Sequence, residues 1–465
     1  MRETRENVEK RKHESLAAVH THTHTNSFSE IIIHFREKKR SIINEDSKEQ
    51  LPLNKRGQAA VTLVALVVTI IVLILLAGVS ISLVIGNNGI MQKAAKGRED
   101  YTGAAINEQL DLNKIEDYIE DNTSNKSEIE KYRKSGKYFE SETTIKDENE
   151  NEIKIPQGFK IAQDSGLNVT EGIVIEDNDI IEGVGNNRGN QYVWVPVGNG
   201  IKKNDGTEVN ITLGRYTFAD GTSDKDTNGN VLAKGTPTLK QDAVNYTQEV
   251  EITYNGYKYK ELSTSRVGVA NGGLEGLNTT ALNLKGFVDS VKANGGYYIA
   301  RYEASYGTDG KANSKVSDSY TTSSSIPNKE GQLWNNRTQI NAATASRNLY
   351  TAINSDLINS YAWDTAIVYI QKFSGDTDYS RQNSLNKSLA NTGANGDEKC
   401  KINDMASNTK EWTTEYCTYT NSKYAYPCAY RGGYYNNSSY YTDNRDYDGA
   451  TNQYSYVSFR CALYM

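Results

Sequence analysis

The sequence predicts an α+β domain carried behind one long apolar helix. Three observations lead there. From Asn151 onward, short runs that alternate or stay apolar are cut by clusters of Gly, Asn and Asp, the pattern of strands joined by tight turns. Within that region, three stretches switch to helical spacing. Ahead of it, Ala59 to Ile85 runs without a single charged residue.

Residues 1–57 form a charged leader with no apolar period. In it His20, His22 and His24 alternate with threonine; the readings are a solvated low-complexity tract or a metal-binding one. Residues 58–120 are expected to form a transmembrane and pilin-like helix. A charge-free run of about 27 residues at ~1.5 Å each spans the ~30 Å of bilayer hydrocarbon, whereas a buried core helix is the alternative for an apolar run. Lys55 and Arg56, backed by Arg36, Lys38, Lys39 and Arg40, place the N-terminus inside and the C-terminal domain outside the cell. After the Gly86-Asn87-Asn88-Gly89 breaker, Ala104, Ile106, Leu110, Leu112, Ile115 and Ile119 continue at helical spacing. Residues 121–150, rich in Asn, Ser, Lys and Glu, are expected as a linker.

Residues 151–465 make the domain. Strands are expected at Ile153–Pro156, Phe159–Ala162, Gly172–Glu176 and Tyr192–Val197. Ile211–Phe218 and Val250–Tyr259 are expected as a hairpin insertion around an Asp/Gly/Lys-rich tip. Helices are expected at Leu282–Ala293, Thr338–Ile353 and Ser360–Phe373, with a strand from Tyr297 and another over Val457–Leu463.

Composition narrows function. The chain has 465 residues and a net charge of −6, which argues against a nucleic-acid surface. Thirty-two tyrosines against eight phenylalanines point to polar, exposed aromatic surfaces. All five histidines precede Gly57, so the domain has no histidine for a triad, a general base or a zinc site. Cys400, Cys417, Cys428 and Cys461 allow three pairings, among which the sequence does not choose.

Asp404-Met405-Ala406-Ser407-Asn408, Glu411-Trp412-Thr413, Arg431-Gly432-Gly433 and Phe459-Arg460-Cys461-Ala462 resemble blocks of the formylglycine-generating-enzyme (sulfatase-modifying factor) family. So do Tyr192-Val193-Trp194-Val195-Pro196-Val197-Gly198 and Gly296-Tyr297-Tyr298-Ile299-Ala300-Arg301-Tyr302-Glu303-Ala304 upstream. The resemblance implies a C-type-lectin-like fold. It also implies one structural Ca²⁺ held by Asp404, backbone oxygens of Ser407 and Thr409, and Glu411; an ordinary polar turn is the other reading. The family's copper-binding cysteines fall, by alignment on Arg431-Gly432-Gly433, at Asn437 and Thr442. Neither supplies a thiolate, so no catalytic residue and no copper are expected. The N-terminal stretch is similar to a type IV prepilin, with Lys55-Arg56-Gly57 as the processing site, which implies a pilin-like assembly.

Between Arg431-Gly432-Gly433 and Phe459 lies a run of Tyr, Asn, Ser, Asp and Thr. Tyrosine offers stiff contact area and the small polar residues adaptable hydrogen bonds, as in antibody binding loops. The expected ligand-binding residues are Tyr434, Tyr435, Asn436, Asn437, Ser438, Ser439, Tyr440, Tyr441, Asp443, Asn444, Asn452, Tyr454 and Tyr456. Codons for Asn, Tyr, Ser, Asp and Thr interconvert when an adenine changes. A lectin-like domain ending in such a run resembles the variable protein of a diversity-generating retroelement. The expected function is a membrane-anchored bacterial surface protein, an adhesin without catalysis, whose partner is a protein or glycan. The alternative is an enzyme of the formylglycine-generating superfamily with an altered active site.

Overall fold

The computed structural model describes residues 65–77, several positions between 93 and 112, and 127–465 apart from 178–188, 264–278, 308–309, 324–327, 348, 383–387 and 420–427. The chain divides into two units, Met1–Ile115 and Glu116–Met465. In the first, residues 65–77 are helical and every side chain of that stretch is exposed. Among the described residues no helix is long and apolar enough to cross a membrane. The leader, the Gly86-Asn87-Asn88-Gly89 breaker and the remainder of Ala59–Ile85 lie outside the described residues.

The second unit is α+β, with two six-stranded sheets that are antiparallel but for one pairing. The first sheet runs Asn354–Leu357, Cys461–Tyr464, Gly296–Ala300, Gln191–Pro196, Val174–Asp177 and Phe159–Ile161. Its central strands are buried but for Gln191, with Tyr192 to Val195 and Tyr297 to Ile299 fully enclosed. That is why they read as unbroken apolar runs rather than alternating ones. The second sheet runs Ile252–Tyr254, Tyr257–Lys260, Lys410–Cys417, Cys428–Arg431 and Arg445–Asp448, with Val457–Phe459 lying parallel to Lys410–Cys417. The expected single strand over Val457–Leu463 is thus two, one in each sheet. The chain changes sheets at Arg460.

Helix Leu284–Asn294 starts at Asn283, whose side-chain oxygen accepts from the Gly286 N–H, and stops at Gly295 in the left-handed region. Helix Ser360–Phe373 is capped by Asn359 in the same way. Of its fourteen residues only Lys372 escapes burial, so it threads the core between elements. Trp363 and Asp364 both face inward.

Three further expectations need correction. The span 121–150, expected as a linker, contains helix Glu128–Ser135 and strand Thr143–Lys146. Ser127 caps that helix, Gly136 ends it and Ile129 is fully buried, so polar composition concealed local punctuation. The helix expected to reach Ile353 stops at Ser346, because Arg347 is extended and Arg347 then pairs with Asp356 in the next strand. The hairpin insertion is two hairpins, Gly214–Phe218 with Pro237–Asp242 and Ile252–Tyr254 with Tyr257–Lys260.

Candidate binding face on the second sheet

Strand Cys428–Arg431 delivers the chain to Gly432 and Gly433. Gly432 has φ +88°, and a Cβ on Gly433 would lie 2.2 Å from the Ala406 carbonyl oxygen. Only glycine lets the chain press against the 404–408 loop there. Tyr435 then donates its N–H to the Asn408 carbonyl, and Tyr434 bridges to Asn437 in a tight reversal. The Asn437 side chain accepts from the Ser439 N–H at 2.8 Å, closing the turn.

Around this turn the tyrosines pack on one another. Tyr434 lies 5.3 Å from Tyr440 and 5.4 Å from Tyr456, centroid to centroid. Tyr454 and Tyr456 stack at 5.0 Å with their planes 21° apart. Beneath them Trp412 meets Tyr430 edge-on at 5.1 Å. Aromatic pairs at these distances contribute ~0.5–1.5 kcal/mol each beyond area burial, which stiffens the surface.

At the base of this layer sits Lys410. Its ammonium is 3.5 Å from the Tyr440 centroid, 4.8 Å from Tyr430 and 5.1 Å from Tyr434, and donates to Asp446 at 2.8 Å. The side chain is 3% exposed. Burial lowers its pKa, against the opposing pull of Asp446. Lys410, Asp446, Asp448 and Tyr430 were not singled out by sequence. The available signal was strand parity, since Lys410 shares a face with Trp412 two residues on.

The predicted residues divide by burial. Asn436, Ser438 and Ser439 are exposed; Tyr434, Tyr435, Asn437, Tyr440, Tyr441, Asn452, Tyr454 and Tyr456 are half-buried. Asp443 and Asn444 are corrected: both are buried and belong to the support, not the face. Asp443 pairs with Arg381, and the Asn444 carbonyl accepts from Arg431 Nε at 2.8 Å. Burial pushes the Asp443 carboxyl up to about 6 despite Arg381. Thr442 is buried with its hydroxyl donating to the Tyr379 carbonyl, whereas Asn437 stays on the turn.

Under the face lie two buried charge clusters. In the first, Arg215, Arg431 and Arg445 converge on Asp364 and Glu415, all five side chains being fully enclosed. In the second, Glu303, Asp397, Asp404 and Glu411 surround Arg460. Arg460 donates to both oxygens of Glu411 and to the Ala300 and Asn403 carbonyls, tying the two sheets where the chain passes between them.

This geometry bears on calcium. Asp404, Ser407, Thr409 and Glu411 are all buried, as a closed loop requires. Glu411, however, gives both oxygens to the Arg460 guanidinium, and the Thr409 N–H and hydroxyl turn to Glu303. Among the described residues no three His, Cys, Asp or Glu side chains converge as metal ligands. With both Glu411 oxygens held by Arg460, that carboxylate is not free to ligate a Ca²⁺, which wants six to eight oxygens. Asp404 Oδ1 is left buried without a hydrogen bond, and burial, with Asp397 and Glu411 nearby, pushes that carboxyl up to about 7. All four cysteines are buried.

No family model matches the chain, and no curated protein matches it. Among solved structures it is similar to CarF, at 14% identity over 37% of this chain and 87% of that one, with a TM-score of 0.28. It is also similar to the M1 and P3c variants of the Major Tropism Determinant, at 11% and 13% identity, each over 70% of this chain and 81% of that one, both with a TM-score of 0.27. Likenesses this faint leave function to be argued from the site itself.

Proposed function

We propose that the 151–465 domain is a non-catalytic ligand-binding module of C-type-lectin type, displayed outside a bacterial cell on an anchor formed by Ala59–Ile85. One observation carries this reading. A layer of mutually packed tyrosines, with small polar residues at its tip, stands on a buried scaffold of ion pairs and glycine-tight turns. Contact area with stiff rings and short polar groups is what a binding face requires. The anchor is supported by residues 65–77, helical with Leu73, Ile74 and Leu75 each at least 60% exposed, an apolar surface that water does not favour. A pilin-like assembly of the anchor is part of the proposal.

The diversified-receptor reading predicts a pattern that burial now sharpens. Sequencing the 3′ end of the gene across a bacterial population is expected to show adenine-directed changes at the codons for Tyr434–Tyr441, Asn452, Tyr454 and Tyr456. Asp443 and Asn444 are expected to stay fixed, together with Arg431-Gly432-Gly433, Lys410 and Arg460. Variation spread evenly over exposed and buried codons would sink the reading; an unvarying 3′ end would leave an adhesin of fixed specificity. Protease sensitivity of the domain on intact cells, lost when residues 59–85 are deleted, checks the anchor.

A tolerant tip is a second consequence. Single exchanges of Asn436, Ser438 or Ser439 for alanine are expected to change unfolding free energy by less than ~0.5 kcal/mol, as for surface sites outside any network. Chemical denaturation of each variant measures this. A loss above about 1 kcal/mol would mean that the tip is structural.

A further inference from the structure

The face already holds one cation, its own. Lys410 sits among Tyr430, Tyr434 and Tyr440 with Asp446 as counter-ion. Asp448 lies two residues further along the same strand, so the two carboxylates project from one face. Asp446 is engaged by Lys410. Asp448 accepts from the Gly449 N–H, the Asn452 amide and the Tyr454 hydroxyl, all neutral donors, and among the described residues no cation pairs with it. Two carboxylates against one ammonium leave the patch negative. The Tyr454 hydroxyl on Asp448 and the Tyr454–Tyr456 stack tie this carboxylate to the ring layer.

Ring geometry selects among cations. Tyr454 and Tyr456 present nearly parallel plates, and Tyr434 extends them from Tyr456 at 37°. A guanidinium is planar, stacks on aromatic faces and carries donors in a fork that suits a carboxylate. A quaternary ammonium would offer Asp448 no hydrogen bond, and a neutral sugar would leave its charge uncompensated. We propose that the tyrosine face, with the residues this sequence carries, receives an arginine side chain presented by a partner protein, stacked at the Tyr454 end of the Tyr454–Tyr456 pair and paired with Asp448. This rests on the binding-face reading above and names the chemistry of its partner.

The test uses the full chain in detergent micelles and fluorescent hexa-arginine, hexa-lysine and hexa-glutamate peptides, with a neutral oligosaccharide beside them. Hexa-arginine is expected to bind more tightly than hexa-lysine, and hexa-glutamate not at all. Asp448→Asn is expected to weaken hexa-arginine binding about tenfold, the loss of one charge-assisted contact. Asp226→Asn removes the same charge from an exposed loop elsewhere in the domain, and is expected to leave binding unchanged. Equal effects of the two variants, or no binding of hexa-arginine, would overturn the proposal. Tyr456→Leu separates the two readings. If it abolishes binding of the oligosaccharide while hexa-arginine is inert, the face binds ligands but not arginine. If every probe ignores both Asp448→Asn and Tyr456→Leu, the binding-face reading fails with it.

Discussion

Glu415→Gln is expected to cost about 3–5 kcal/mol of unfolding free energy at neutral pH, because it strands charges that have no water to turn to. Glu415 accepts from Arg215 Nη2 at 2.7 Å, from Arg431 Nη1 at 3.3 Å and from Arg445 Nε at 3.2 Å through both oxygens. Every one of these side chains is fully buried. An isosteric amide keeps the volume but leaves Arg215 without a carboxylate partner and Arg431 and Arg445 paired with Asp364 only. Burial by itself would raise the Glu415 pKa; Arg445, Arg431 and Arg215 together outweigh it and hold the carboxyl at about 2. The folded value lies below the ordinary 4.5, so the stabilisation is present above about pH 4.5 and lost as pH falls toward 2. Wild-type stability should therefore collapse steeply in acid, and the Gln variant should lack that limb. Urea titrations from pH 7 to pH 3 measure both. A loss below ~1 kcal/mol, the size expected of an exposed pair such as Lys146–Glu150, would show that the network is not coupled.

The same network holds the ends of the 434–444 loop independently of the side chains at its tip. Arg431 precedes the turn at Gly432 and Gly433, and Arg445 opens the strand that follows the 434–444 loop. Arg431 also donates to the backbone carbonyls of Asp443 and Asn444. Both ends of the loop are thus pinned by charges below it, through backbone atoms that any tip sequence provides. Lys410, from a neighbouring strand, supplies the third pin.

Local pattern and long-range pairing account for what could be read in the sequence. Strands Gln191–Pro196 and Gly296–Ala300 were legible because both faces are buried, so β-branched and aromatic residues run together. Helix Ser360–Phe373 was legible from its helical spacing, although its lack of a solvent face was not. The Tyr/Asn/Ser run announced a surface, yet Asp443 and Asn444 in its midst are buried. Their fate depends on Arg381 and Arg431, which composition does not reveal. The Arg215–Glu415 pair joins residues two hundred apart, and nothing near either one foretells it. Arg460 was visible as part of a motif. Its pairing with both oxygens of Glu411 joins residues 49 apart, which no local pattern reveals.

Thermal stability is expected to fall as pH rises from 5 to 8, with Asp404 and its buried neighbour Glu303 among the contributors. The Asp404 carboxyl is fully buried, with Oδ2 accepting from the Gly393 N–H and Oδ1 without a partner. Burial, reinforced by Asp397 and Glu411 against the pull of Arg460, raises it from 3.8 to about 7. The folded state therefore holds a proton that the unfolded chain releases near pH 4. Stability from this group is full below that pH and is lost as pH climbs through about 7, a change on the order of 2–4 kcal/mol by pH 8. Asp177 at about 6, Glu261 at about 7 and Asp443 at about 6 act in the same direction. Asp404→Asn isolates this contribution. Asparagine is neutral at every pH and suits the left-handed backbone at φ +64°. The variant should gain on the wild type as pH rises, its advantage being larger at pH 8 than at pH 5. Scanning calorimetry at both values, with EDTA and with added calcium, gives the comparison. A wild type whose midpoint rises with calcium at pH 8, beside a variant that does not respond, would mean that a metal rather than a proton neutralises the loop. With Arg460 already seated on Glu411, the expected result is a pH slope that calcium does not change and that Asp404→Asn flattens.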